Sequence, residues 1–292
     1  MNPSHTLRSL MLLALVATTT GAATAEDARL LRSPAIDAEH VAFVHANDIW
    51  IADRDGGEAR RLTTFQGAET DPHFSPDGTM VAFSGEYDGN VDVYVVPVEG
   101  GEPRRLTWHP GDDDVRGWTP DGERVVFASG RLNAPLPVPR FFTVSTAGGP
   151  PEPLPVPRVC EGQISADGGR LVYQEILQWE SEWRNYRGGQ NNPVRIIDLD
   201  TLEVEKLPWD PTVRSKDVSP TWLGGRVLLL SDRDHAMNVW SFDPASGELA
   251  QRTFFTEFDC KGLESGPGAV VFENGGWLYL LDADADEPVK LE

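Results

Sequence analysis

Between Leu31 and Glu292 one short programme recurs six times: a turn, an alternating apolar strand, and a polar or basic ending. The period is about 45 residues, the span of one propeller blade. A single unit of this kind cannot cover both faces of its own sheet, so the repetition itself dictates sheets standing side by side around an axis. The clearest copies are Asp71-Pro72-His73-Phe74-Ser75-Pro76-Asp77-Gly78 before Val81-Ala82-Phe83, and Val115-Arg116-Gly117-Trp118-Thr119-Pro120-Asp121-Gly122 before Val125-Val126-Phe127. The expected fold is all-β: a six-bladed β-propeller with four antiparallel strands per blade and no shared closing strand.

Each unit reads as four short strands. The second strands run from His40–Val44 in the first unit to Ala269–Glu273 in the sixth, and the third from Asp48–Asp53 to Trp277–Asp282. Their Val, Ile and aromatic content suits strands covered on both faces. Turns such as Asp55-Gly56-Gly57-Glu58 then lead to outer strands, among them Arg60-Arg61-Leu62-Thr63, Arg104-Arg105-Leu106-Thr107 and Glu152-Pro153-Leu154-Pro155. Arginine or proline there suits an edge that must stay unpaired. The blades are placed at 29–64, 68–108, 112–156, 159–208, 216–254 and 258–292. Leu31–Ile36 serves as the innermost strand of the first and Pro288–Glu292 as the outermost of the last, so the ring is expected to close by side-chain packing alone.

The chain carries 25 Lys plus Arg against 46 Asp plus Glu, a formal charge of -21. Such a surface repels nucleic acid and anionic lipid, so neither a nucleic acid nor a membrane is expected as partner. At the N-terminus, Arg8 precedes an apolar run from Leu10 to Ala17, then Ala23-Thr24-Ala25. This is the pattern of a cleaved secretory leader, so residues 1–25 are read as a signal peptide, with a mature chain from Glu26 in the periplasm or secreted. The run falls short of the roughly 20 residues that cross a bilayer.

Catalytic chemistry is hard to find. The histidines of the mature chain are His40, His45, His73, His109 and His235, and no serine stands in a Gly-x-Ser-x-Gly elbow. His73 reads as a core or channel-lining residue, and His109 and His235 as loop residues. Cys160 and Cys260 open the first strands of the fourth and sixth units, with a whole blade between them. That separation exceeds the usual ~7 Å limit for a disulfide and predicts two free thiols. The acidic runs Asp112-Asp113-Asp114 and Asp282-Ala283-Asp284-Ala285-Asp286-Glu287 lack the glycine and distant glutamate of a calcium loop. No metal site and no cofactor is expected.

Several segments carry a resemblance. Ser75-Pro76-Asp77-Gly78 and Arg105-Leu106-Thr107 are similar to the blade repeat of TolB-type propellers. Gly85-Glu86-Tyr87-Asp88-Gly89-Asn90-Val91-Asp92-Val93-Tyr94, Leu106-Thr107-Trp108-His109-Pro110-Gly111, Trp183-Arg184-Asn185-Tyr186-Arg187-Gly188-Gly189, and Ser231-Asp232-Arg233-Asp234 with Met237-Asn238 resemble the N-terminal six-bladed propeller of tricorn-type proteases. The resemblance implies a non-catalytic domain that guides or filters peptides. Its implied partners are peptide substrates and downstream modules of the protease, namely a second propeller, a PDZ-like module and a serine catalytic region, in a hexameric assembly.

In that family a basic pair from this propeller holds the substrate's terminal carboxylate. The matching segment here, Phe127-Ala128-Ser129-Gly130-Arg131-Leu132, keeps Arg131 and has Leu132 where the second base would stand. A guanidinium suits the task through two parallel hydrogen bonds. Arg131 has two readings at this point, a carboxylate clamp or a solvated arginine at a hairpin tip. Tyr87, Trp183, Tyr186 and Arg187 join it as candidate substrate contacts, since hairpins between second and third strands share one face. The insertion holding Trp183 has two readings, a lid merely packed over the ring, which is preferred, or a ligand-facing hairpin. A stand-alone TolB-like interaction scaffold is the alternative function.

Overall fold

The computed structural model describes residues 29–133, 136, 138–176, 187–189, 191–207 and 215–292. They form six four-stranded antiparallel sheets in strict sequence order. Blade one contains β1 (Arg32–Ile36), β2 (His40–His45), β3 (Asp48–Asp53) and β4 (Arg60–Arg61), and blade two β5 (Glu69–Phe74), β6 (Met80–Glu86), β7 (Val91–Pro97) and β8 (Arg104–Arg105). Blade three holds β9 (Asp113–Trp118), β10 (Arg124–Ser129), β11 (Arg140–Ser145) and β12 (Glu152–Pro153), and blade four β13 (Glu161–Ile164), β14 (Arg170–Gln174), β15 (Arg195–Asp198) and β16 (Val204–Lys206). Blade five is β17 (Asp217–Leu223), β18 (Arg226–Asp234), β19 (Ala236–Phe242) and β20 (Leu249–Gln251), and blade six β21 (Lys261–Gly266), β22 (Ala269–Asn274), β23 (Trp277–Asp282) and β24 (Val289–Lys290). The expected leader lies outside the described residues.

The apolar residues of each sheet are covered by its neighbours, as the continuous hydrophobic runs require. Six separate cores result, one between each adjacent pair of blades. Phe83, Phe127, Phe142 and Phe272 are fully buried in them. Burial of each such ring contributes about 2–3 kcal/mol.

The seam between blades six and one differs from expectation in one respect. A core of Ile36, Val41, Phe43, Val271 and Leu278 fills it, with no strand shared. Hydrogen bonds cross it as well: Leu30 N–H donates to the Gly276 carbonyl at 3.1 Å, Gly57 N–H to the Glu292 carbonyl at 2.6 Å, and Ser33 N–H to Glu273 Oε1 at 2.7 Å. Close approach is possible because Gly266 has no side chain; a Cβ there would meet the Ile36 carbonyl oxygen at 2.3 Å. Packing alone therefore understates the closure.

A polar clasp recurs in blades one, two and five. Strand pairing sets Trp50 opposite Arg61, Tyr94 opposite Arg105, and Trp240 opposite Gln251. In blades one and two the outer-strand arginine then reaches the residue that opens the third-strand core, whereas in blade five Gln251 donates to the Thr253 carbonyl and the Thr253 hydroxyl bonds Asn238. Arg61 Nη2 donates to Asp48 at 2.6 Å and Arg105 Nη2 to Asp92 at 2.5 Å. Two residues beyond, the hydroxyls of Thr63, Thr107 and Thr253 accept the amides of Ile49, Val93 and Val239 at 3.0, 3.0 and 2.9 Å. These arginines do not merely guard an edge; they neutralise buried carboxylates. In blade three the corresponding positions are Arg140, Pro153 and Pro155, and in blade four Pro193, Lys206 and Pro208, so neither sequence can build the clasp.

Both cysteines are free and buried, as their spacing predicted. Burial pushes each thiol up to about 12.

Candidate functional site: the axial cavities and the two ring faces

The six innermost strands lie around the axis, with β21 packed on β1 to complete the circle. In blades one, two, five and six that strand bulges, skipping two residues in its register with the second strand. The bulge holds Ser33 (φ 45°), Asp71 (φ 50°) and Ser219 (φ 51°) in the left-handed region, each followed by proline; Gly262 (φ 57°) takes the same place in blade six. Backbone strain of this kind costs about 1–3 kcal/mol per residue. Here it sits in the axial wall.

A polar cavity of about 270 Å³ lies at this level, with Asp71, Arg116, Glu161, Ser219 and Glu264 in its wall. Arg116 organises it. Its Nε donates to the Cys160 carbonyl at 3.0 Å, and its Nη1 to Asp71 Oδ2 at 3.3 Å. Burial opposes the charge of Arg116, but Asp71, Asp114 and Glu161 outweigh it and hold the guanidinium above its ordinary value. Glu161 accepts the Ser219 hydroxyl at 2.9 Å, and burial raises its carboxyl.

His73, Gln163 and Glu264 line both this cavity and a second one farther along the axis, and form the waist between them. His73 Nδ1 stands 3.7 Å from Glu264 Oε1, joining blades two and six. Gln163 ties three blades together: its Oε1 accepts the Thr221 hydroxyl at 2.8 Å and the Trp222 amide at 2.7 Å, while its Nε2 donates to Ser265 Oγ at 2.9 Å.

Past the waist the channel widens into a funnel of about 890 Å³, bounded by the turns between first and second strands. Ile36, Phe74, Trp118, Ile164 and Trp222, from the ends of five innermost strands, supply its apolar wall. Trp118 is fixed by an Nε1–H bond to the His73 carbonyl at 2.9 Å, and Trp222 lies beneath the Arg170 guanidinium at 4.6 Å. The rim is acidic, with exposed Glu39, Asp77, Glu99 and Asp167. Hydrogen bonds from Ser75 and Thr79 hold the Asp77 carboxyl below the usual range, and those from Ser165 and Gly169 do the same for Asp167.

The opposite face carries the second-to-third strand hairpins and the predicted contact residues. Tyr87 donates to the buried Glu69 and packs on Phe65 and Tyr94, with ring centroids 4.3 and 4.5 Å away. Arg131 is turned inward: its Nη2 pairs with the buried Asp113, its Nε donates to Ser129 Oγ at 3.1 Å, and its guanidinium lies over Phe127 and Phe142. The side chain is 15% exposed, so it is not a solvated tip residue. Arg233 repeats the arrangement in blade five, pairing with Asp217 at 2.6 Å. Register explains the likeness, since Glu69, Asp113 and Asp217 face Gly85, Ser129 and Ser231, and Tyr87, Arg131 and Arg233 follow two residues later.

Arg187 crosses to blade five and pairs with Asp232 at 2.6 Å. Trp183 and Tyr186 lie outside the described residues. The described candidates thus share a face, each bonded to its own partner. Phe65, Trp108, Leu132, Phe254 and Phe258 add exposed apolar area to that face.

Sequence reasoning placed His73 on the channel but missed Arg116, Glu161, Gln163 and the funnel wall. The available signal was proline after Ser33, Asp71 and Ser219, and the bulky residue before each turn. The acidic run at 112–114 does not converge on a point. Asp113 pairs with Arg131, and Asp114 faces Arg116 at 4.0 Å. Among the described residues no group of three or more His, Cys, Asp or Glu is arranged to hold a metal ion.

Comparison with known proteins adds a family to this geometry. Residues 28–287 match the model of the tricorn protease N-terminal beta propeller domain. Tricorn protease homolog 1 of Streptomyces coelicolor is 32% identical over 264 residues, covering 90% of this chain and 24% of that protein. The crystal structure of the tricorn protease superposes with a TM-score of 0.79 at 25% identity, covering 90% of this chain and 26% of that one. TolB from Acinetobacter baumannii aligns with a TM-score of 0.50 at 25% identity, over 70% of this chain and 51% of TolB. The chain spans about a quarter of the length of the curated relatives it matches.

Proposed function

Since the chain belongs to the tricorn protease N-terminal β-propeller family, we propose that it is the non-catalytic propeller of an exported tricorn-like protease, guiding or filtering peptides for catalytic modules that lie elsewhere. The observation that carries this reading is the state of its would-be reactive groups. His40 and His73 pair with the carboxylates Asp37 and Glu264, and among the described residues neither ring bonds a serine, threonine or cysteine side chain that it could activate; His109 bonds to the backbone of Gly111. Both thiols are buried and protonated, and a thiolate is the nucleophilic form. What the ring offers instead is space along its axis.

The hairpin face, with its exposed aromatic residues, is the side we assign to docking on the downstream modules. Arg131, Tyr87 and Arg187, with Trp183 and Tyr186, are the proposed peptide contacts there. The leader pattern read at 1–25 supports export, so the proposal includes work in the periplasm or outside the cell, and it assigns hexamer formation to the complete protease. Arg131→Ala in that complete protease should raise KM for peptides with a free C-terminal carboxylate by about tenfold, given the strength of a charge-assisted pair. C-terminally amidated peptides, assayed on the same preparation, should be handled as before. Equal losses on both would reduce Arg131 to the internal partner of Asp113.

The TolB likeness and the exposed aromatics favour a second reading, a periplasmic scaffold that docks a protein partner on the same face. The reading frame beyond Glu292 separates the two. In-frame protease modules support the first, and a stop codon supports the second.

A further inference from the structure

The funnel on the turn face differs in chemistry from the hairpin face. Its wall is apolar and aromatic, formed by Phe74, Trp118 and Trp222 among others, and its rim carries Glu39, Asp77, Glu99 and Asp167. Two of these carboxylates are anchored as anions by their own turns. Among the described residues Arg170 is the one arginine or lysine in the wall, and it is occupied over Trp222. An aromatic surface under a surplus of negative charge favours a ligand with an apolar body and a cationic head, through desolvation of the first and Coulomb and cation–π attraction of the second.

We propose that this funnel is a binding site for peptide segments that combine lysine or arginine with an aromatic or large aliphatic neighbour, and that it excludes acidic segments. The proposal rests on the peptide-handling reading only for the ligand being a peptide; the charge and apolar preferences come from the funnel itself. The occupant is fixed by charge complementarity. In this proposal the segment stays at the funnel level because side chains of four blades converge and bond to one another at Gln163 and the His73–Glu264 pair.

The test is calorimetric titration of the purified chain with the capped peptide Lys-Leu-Phe-Lys and with Glu-Leu-Phe-Glu, at low and high salt. The cationic peptide should bind at least about tenfold more tightly at low salt, and added salt should narrow the gap as it screens the rim. Glu39→Gln with Glu99→Gln removes two exposed rim charges and should weaken cationic binding about three- to tenfold. Glu86→Gln with Asp112→Asn removes two exposed charges from the hairpin face and should leave binding nearly unchanged. Equal losses in the two double variants would replace the funnel by diffuse attraction to an acidic protein and overturn the proposal. Equal binding of both peptides would overturn the charge selection while leaving peptide handling standing; no binding of either would remove both.

Discussion

Blades two and four have the same strand order and the same kind of apolar packing, yet they are finished differently. In blade two Arg105, Thr107 and Asp92 lock the outer strand to the third strand, and Asn90 extends the network to Asp92 and the His109 carbonyl at 2.7 and 2.8 Å. In blade four the sequence has Pro193 and Pro208 where blade two has Asp92 and Thr107, and Arg195 pairs with Glu175 at 3.1 Å instead. The contrast teaches that hydrophobic cover between neighbours is sufficient to make a blade. The buried polar clasp is an addition, and its charged groups depend on one another.

That interdependence gives the largest expected effect. Asp92→Ala removes the buried partner of Arg105, Thr107 and Asn90, leaving Arg105 its bonds to the exposed Asp88 and the Thr107 carbonyl, and should cost about 2 kcal/mol in urea unfolding. Arg140→Ala, at the corresponding position of unclasped blade three, should cost under about 1 kcal/mol, because among the described residues its side chain makes a single long bond, to the Leu154 carbonyl at 3.4 Å. Similar losses for the two variants would erase the distinction between clasped and unclasped blades.

A smaller effect sharpens the comparison through pH. Burial raises the Glu69 carboxyl above its ordinary value of 4.5, despite hydrogen bonds from Thr63 and Tyr87 that lower it. The fold therefore favours its protonated form. That contribution is complete below pH 4.5 and is lost as pH rises through the elevated value. Glu69→Gln should remove this fall, so its urea midpoint should change less than that of the parent between pH 4.5 and 7. Asp77 and Asp167, whose lowered carboxyls act in the opposite direction, are common to both proteins and cancel in the difference. A parallel pair of curves would show that Glu69 is comfortably ionised in the fold.

Much of the ring was legible because its cause is local. Second strands such as Arg170–Gln174 and third strands such as Asp48–Asp53 coincide with their apolar runs, since both faces are covered along the whole strand. The destinations of the charged side chains were not local. Arg61 and Arg105 read as edge guards, and their partners Asp48 and Asp92 lie 13 residues earlier, brought near only by strand pairing. The identical separation in two blades was the overlooked signal. Arg131 is a parallel case: Asp113 lies 18 residues before it, on the innermost strand of the same blade. The axial cavities were less legible still, because each of the six innermost strands contributes only one to three residues to the upper one.

The central claim, that this ring holds peptides without cutting them, is tested most directly by incubating the purified chain with a defined peptide mixture and weighing the bound and free fractions by mass spectrometry. The account predicts intact peptides in both, with lysine- and arginine-bearing aromatic sequences enriched on the protein. Fragments that accumulate with time, or a bound fraction identical in composition to the mixture, would contradict it.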